Sequence, residues 1–364
     1  MINKETFVLD DQLRYDKENF QNEIYLKNDL ELGSIKFNFN IGNILNRNFE
    51  YRQLGFSEFY SEFNLRSATN ISECYWNIKN LSRLKRFEEP STTIPDFFRN
   101  TTSVFTTYGL DFYRSFQADY TFDYNESLHS TNNDFIDHDA GLAYKGIISQ
   151  QLRYNLFARF RYSDFNYILN DELSDSSFSN ISRTFEINPE IKYSLSDAFD
   201  LNVNLQNHFK NYSIKSEQEP DYAFLQLNPF LNFNIDYLTT ISIGYVYEKK
   251  VHKIFENLQE QYIKDQDYYS NGFNFGLDYS NISGFILSLN FEYLLRRYPN
   301  YSTTDDFNIY SNRNILNILL YSQIPVSERL VINVVGSYDN DKDIDTDFND
   351  MVSSFYTLEF QYSF

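Results

Sequence analysis

The chain has 364 residues with 31 basic and 51 acidic side chains, a formal net charge of −20. That balance argues against nucleic acid, whose partners carry basic patches. No stretch approaches the ~18 consecutive apolar residues of a membrane-crossing helix, and the single cysteine, Cys74, cannot form an intrachain disulfide. Thirty-six Phe and 31 Tyr stand against one Trp, two Met and seven Pro, and the mean hydropathy is negative. Rings alternating with Asn, Ser, Asp and Thr make a chain of β-formers in which half the positions are polar.

From the N-terminus, Met1 to Glu5 offers no apolar signal core and no small-residue cleavage site. For an exported protein this predicts a mature form, or a barrel cut from a longer precursor. Patterned sequence begins at about Thr6. Period-two alternation follows at 35–41, 116–124, 199–205, 225–237, 241–248 and 273–279. At 285–293, Phe285, Leu287, Leu289, Phe291 and Tyr293 share one face while Ser288, Asn290 and Glu292 share the other. The links alternate too. Tight ones are expected near Gly33, Ala68, Ser115, Gly146, Asp197, Leu238, Ile282 and Pro325. Longer polar ones are expected near 46–52, 86–101, 126–134, 165–180, 212–221, 250–264, 298–306 and 340–349.

A soluble antiparallel sheet also alternates, but short turns on one side and long loops on the other suit a barrel crossing an outer membrane. The expected fold is all-β: one antiparallel up-and-down transmembrane barrel over residues 1–364, with about eighteen strands. Because strands one, two and five are weakly patterned, fourteen or sixteen remain open. Tyr124, Tyr162, Tyr193, Tyr237, Tyr247, Tyr279 and Tyr293 fall near strand ends, where rings form headgroup girdles. Ordinary β-propensity is the plainer alternative for any single one of them.

The last strand places Tyr356, Leu358, Phe360, Tyr362 and Phe364 on one face, ending on the terminal aromatic. This resembles the C-terminal β-signal of bacterial outer-membrane barrels. The resemblance implies an outer-membrane location, contact with lipid and lipopolysaccharide, and recognition by the barrel-assembly machinery. It identifies no subfamily.

Backbone in hydrocarbon must pair within the protein, so a spanning sheet is expected to close, and sixteen to eighteen strands leave an aqueous lumen. The first reading is a channel for passive diffusion of small hydrophilic solutes, constricted by its own loops. The 86–101 segment, with Glu88, Glu89, Pro90 and Pro95, is the candidate to fold inward. The alternative is the translocation barrel of an export or envelope-assembly system. Channel-lining candidates are Arg153, Arg159 and Arg161, facing Glu186, Glu190 and Lys192 on the next strand, together with Asp119 and Asp123. Wall-stiffening ion pairs are the plainer reading of such rows. The wider inward set, Glu58, Glu62, Asp111, Asp236, Asp278 and Glu292, leans acidic and predicts a mild cation preference.

No cofactor and no metal site is expected. The run from Asp339 to Asp347 has closely spaced carboxylates, but Ile344 stands where a calcium loop needs its turning Gly. Catalysis is not expected either. His129 and His138 lie near Ser127, Ser130, Asp134, Asp137 and Asp139, yet no nucleophile motif surrounds those serines. His208 shares parity with Asn204 and Gln206 as polar lining.

Overall fold

A computed structural model describes residues 2–15, 19–67, 74–91, 95–128, 133–171, 174–214, 220–253, 264–300, 310–345 and 350–362, without side chains for 2–5 and 167–178. They form an 18-stranded sheet. The strands are β1 (Ile2–Tyr15), β2 (Asn19–Leu32), β3 (Ile35–Asn48), β4 (Phe56–Ser67), β5 (Cys74–Phe87), β6 (Phe97–Gly109), β7 (Arg114–Ser127), β8 (Phe135–Ile147) and β9 (Leu152–Asp171). They continue with β10 (Ser174–Ser196), β11 (Phe199–Tyr212), β12 (Tyr222–Asn234), β13 (Thr239–His252), β14 (Tyr268–Ser280), β15 (Ile286–Arg297), β16 (Arg313–Pro325), β17 (Leu330–Asp343) and β18 (Met351–Tyr362). From β1 to β7, and from β11 to β18, each strand pairs antiparallel with the next. The up-and-down sheet of eighteen strands is therefore as expected. With the exception of 165–180, the tight and long links fall between the strands they were assigned to.

Most strands run 12–14 residues, longer than the five or six usual in soluble sheets and enough to cross a bilayer when tilted. Few apolar side chains are hidden. Among the described residues the buried hydrophobics are Ala143, Val246 and Leu294, while Phe59, Phe160, Ile243, Phe273 and many like them are exposed. A sheet in water would not keep such a face bare. In lipid, that apolar face needs no protein cover.

The chain forms two compact units. Unit 1 holds residues 1–144, 157–185 and 212–214, and unit 2 holds 145–156, 186–211 and 215–364. In unit 1, Phe39, Phe63, Ile78 and Val104 lie on one face, and Glu58, Glu62, Lys79 and Arg99 on the other. In unit 2, Leu231, Ile243, Phe275, Phe291 and Ile318 form an apolar row by direct cross-strand pairing. In each unit the apolar face is the outward one and the polar face the inward one.

Turn chemistry fixes several short links. Gly33 has φ +58° in a two-residue turn and Gly284 has φ +86°, a region only glycine enters without strain. Ser149 and Ser327 each accept hydrogen bonds from the two backbone N–H groups that restart the next strand.

Four sequence expectations change. The 165–180 stretch is not a loop: β9 and β10 pair and run to Asp171 and from Ser174. Ser, Asn and Asp crowd this part of the sequence and interrupt the alternation that marks a half-buried strand. Asp111 and Asp236 lie in the turns at 110–113 and 235–238, not on the inward wall, and Tyr237 sits in the second of these, 91% exposed. At its turn, Asp111 is held below the usual carboxylate range by hydrogen bonding to Arg114 and to the Tyr113 N–H. The link after β5 is 88–96; in it the Glu88 N–H donates to the Gly55 carbonyl at 2.9 Å, and the Asp96 carbonyl accepts from Leu128 N–H at 2.8 Å. Its described residues are thus tied to the neighbouring links. Finally, β1 begins at Ile2, four residues before the predicted start.

On the inward face of unit 1, Gly42 lies between Tyr25 and Tyr60, whose rings approach to 5.5 Å. A Cβ on Gly42 would meet them at 2.5 and 2.6 Å. Gly42→Ala is therefore expected to cost about 1–3 kcal/mol by overpacking, read by urea unfolding of the folded chain in micelles through Trp76 fluorescence. Gly276→Ala, whose nearest neighbour is the Ser242 Cβ at 3.3 Å, should cost less.

Candidate functional site

Strand alternation sets the inward wall of unit 1 as a continuous field of paired charge. Lys79 reaches Glu62 at 2.6 Å, and Arg83 and Lys85 flank Glu58, each at 3.8 Å. Arg99 takes both oxygens of Asp123, at 3.1 and 2.6 Å, and the Thr101 hydroxyl donates to the same carboxylate at 2.9 Å. Bidentate pairing of this kind fixes both partners in one geometry.

The arginine row of β9 finds its acids on earlier strands. Arg161 pairs with Asp139 of β8 at 3.0 Å, and Arg159 lies 3.2 Å from Asp139 and 3.3 Å from Asp119 of β7. The Arg159 Nε contact is an ion-pair distance without hydrogen-bond alignment; its Nη2 donates to Asp119. That reach across β8 depends on Gly141. A Cβ there would stand 2.5 Å from the Asp119 carboxylate, so the glycine is the window through which the two side chains meet. Sequence spacing gave no sign of this pairing; the signal was a glycine of inward parity between an acid and a base.

The other candidates sit in unit 2. Glu190 accepts from the Asn155 amide at 3.0 Å, and Lys192 pairs with Asp200 at 2.8 Å. Glu186 lies on the same inward face, near enough to His208 to act on it electrostatically. Arg153 makes no ion pair with a described residue. In β18, Tyr356, Leu358, Phe360 and Tyr362 share the outward face as expected, and every described residue of the strand is exposed. Phe364 lies outside the described residues.

A second inward group, which the sequence reading missed, gathers in unit 2 at the ends of β11–β15 nearest the long links. The Lys250 ammonium sits 4.3 Å from the centre of the Tyr222 ring, and the Arg296 guanidinium 4.3 Å from that of Tyr268. Arg296 also donates to Ser270 at 3.0 Å and to Glu248 at 3.2 Å. His208 stacks on Phe224 at 4.8 Å. His252, its side chain 1% exposed, meets Asp267 at 2.8 Å, and the same carboxylate accepts the His252 backbone N–H. Tyr268, Tyr298 and Tyr310 extend the aromatic surface with successive ring separations of 5.8 and 5.7 Å. No carboxylate among the described residues ion-pairs with Lys250. The group was illegible in sequence because its members come from β11–β15 and the links beside them, each unremarkable alone.

Two weaker candidates from the sequence do not assemble into sites. Asp339 and Asp341 lie on β17, with Asp341 taken by Arg313, and Asp343 is buried. These carboxylates line a strand and do not ring a loop; Asp347 lies outside the described residues. His138 points outward between Tyr120, Phe122 and Tyr162 and hydrogen-bonds the Tyr120 hydroxyl at 2.7 Å. Asp137 and Asp139, its sequence neighbours, have inward parity, so the three do not converge. His129 and Ser130 lie outside the described residues.

No protein-family model matches the chain, and no curated protein matches it. Solved structures do. The copper transporter OprC superposes with a TM-score of 0.68 at 8% identity, covering 99% of this chain and 64% of that one. The ferric-catecholate import receptor Fiu from Escherichia coli K12 gives 0.64 at 7% identity over 92% and 66%. The ferric yersiniabactin uptake receptor FyuA from Yersinia pestis gives 0.63 at 8% identity over 98% and 65%. The fold is that of bacterial outer-membrane β-barrels, in accord with the expected fold class and location. The chain spans about two thirds of the length of these proteins.

Removing one charge tests the unit 1 ladder. Arg159→Met should cost about 1 kcal/mol, since it leaves Asp119 without a cation and Asp139 with Arg161 alone, and the loss should shrink at high salt. Arg153→Met should stay within about 0.5 kcal/mol. Gly141→Ala should mimic Arg159→Met by forcing the Asp119 carboxylate aside. Urea midpoints at low and high salt check all three.

Proposed function

We propose that the chain serves outer-membrane transport of a small anionic solute, a metal chelate being the best-fitting class, captured by the cation–aromatic group at the ends of β11–β15. The observation that carries this reading is Lys250 over Tyr222 with no ion-paired carboxylate among the described residues, in a chain of net charge −20. A cation lying on an aromatic face, beside further tyrosines, offers both charge and a stacking surface to a planar anion. The solved structures that share the fold carry names of copper, ferric-catecholate and ferric-yersiniabactin uptake, which favours capture over free diffusion. The long links would then face outside the cell and the short turns the periplasm.

Passive diffusion of hydrophilic solutes is the second reading. It is favoured by the charged wall of unit 1, because rows of fixed charge set the field in a pore. That wall is internally paired, however, which weakens even the mild cation preference that the count of its acids suggests.

Binding of a ferric tris-catecholate, followed by quenching of intrinsic fluorescence, separates the readings. Saturable binding weakened about tenfold by Lys250→Gln, which is about 1.4 kcal/mol, would support capture. Stable bilayer conductance steps without saturable binding of any chelate tried would favour the pore.

A further inference from the structure

The outward face of unit 1 carries a polar island at mid-strand. Cross-strand pairing lines up Ser61, Ser82 and Asn100 in one row, and Phe63, Asn80 and Thr102 in the next. On the side toward the long links the adjoining row is Phe59, Leu84 and Phe98; on the side toward the short turns it is Leu65, Ile78 and Val104. Apolar rows both above and below put the island at hydrocarbon depth, away from either headgroup layer. In unit 2, by contrast, the row from Leu231 to Ile318 is wholly apolar.

The island is internally bonded. The Asn80 amide donates to Thr102 Oγ1 at 2.7 Å and to Asn100 Oδ1 at 3.3 Å. Asn100 donates to Ser82 Oγ at 2.6 Å, Ser82 to Asn80 Oδ1 at 3.3 Å, and Thr102 to Asn100 Oδ1 at 3.2 Å. This uses both Asn80 N–H groups and leaves one on Asn100. Lone pairs remain on Asn80 Oδ1, Ser82 Oγ and Thr102 Oγ1. Lipid tails offer nothing to these atoms, and unmet polar groups in hydrocarbon are costly.

We infer that this face is where two copies of the chain meet in the membrane. The inference rests on the reading that the sheet spans a bilayer. The island presents a donor and several acceptors together, so it complements itself. Across a two-fold axis, the spare Asn100 N–H of each copy meets an acceptor of the other, and the contact closes. Exposed Phe59, Phe63, Val104 and Tyr120 supply an apolar rim. Four strands at ~4.8 Å spacing over ~30 Å of hydrocarbon give roughly 1,150 Å² for the pair, the small end of specific interfaces. The polar centre is then what selects this face over others, much as one buried Asn sets register in a coiled coil.

The test uses the full chain refolded into phosphatidylcholine vesicles, with insertion checked by flotation and protease resistance. In a Cys74→Ser background, Val104→Cys should yield a bismaleimide-linked dimer across a range of lipid ratios. Adding Asn80→Leu and Asn100→Leu should raise the dimer dissociation constant at least tenfold while the chain still inserts, because leucine suits a lipid-facing surface. Asn271→Leu, on the outward face of unit 2, should leave the dimer unchanged. A chain that inserts but stays monomeric, a dimer indifferent to the two leucines, or an island that pairs only with a helix of another protein would each overturn the inference. Failure to insert would instead remove the membrane reading itself; chelate binding by an inserted monomer would leave the proposed function standing and this inference refuted.

Discussion

Hydrocarbon cannot accept or donate a hydrogen bond, and the rest of this structure answers that one constraint. Every backbone N–H and C=O at membrane depth must be met by another strand. That requirement explains why β13 and β14, and β16 and β17, pair without interruption over twelve and thirteen residues. It also explains why side chains divide so cleanly by parity. Leu231, Ile243, Phe275, Phe291 and Ile318 stand in one row because the surroundings on that side are apolar. The sheet needs no covering layer, which is why so few of its described apolar residues are buried.

The inward wall obeys different rules. Water is close, so charges are tolerated, and stability comes from side chains meeting across strands. Here glycine matters by absence of volume. Gly42 admits the Tyr25 and Tyr60 rings, and Gly141 lets Arg159 reach Asp119 over an intervening strand. Both are interactions between residues two strands apart, made possible by the strand between them. The same logic limits how far charge counts predict selectivity. Glu58, Glu62, Asp119 and Asp123 each face a base, so their field largely cancels within the wall.

How much of this was legible in sequence follows from the range of each interaction. Alternation is local, so the strands of 273–279 and 285–293 and the links between them could be read directly. The eighteen-strand count followed, with weak strands such as β5 placed by the rhythm of turns; its outward Asn80 and Ser82 are what blurred its pattern. The β9–β10 ribbon was misread because its sequence, rich in Ser, Asn and Asp, breaks the alternation. Arg159 and Arg161 were recognised as inward, yet their partners on β7 and β8 lie too far along the chain for spacing to reveal. The Lys250–Tyr222 and Arg296–Tyr268 pairs were missed for the same reason, since cross-strand register decides them.

The two polar departures from the simple pattern differ in kind. Lys250 and Arg296 sit where polarity is permitted, so they carry little structural penalty and their placement over tyrosines reads as recognition. Asn80 and Asn100 sit where polarity is penalised, and five internal hydrogen bonds still leave an amide N–H over. A residue that weakens its own strand's pattern and faces the wrong solvent has to be compensated by something outside the sheet. The self-complementary chemistry of amide and hydroxyl makes a second copy the simplest such compensation: one surface feature then satisfies both sides of the contact, with no separate partner needed to match it.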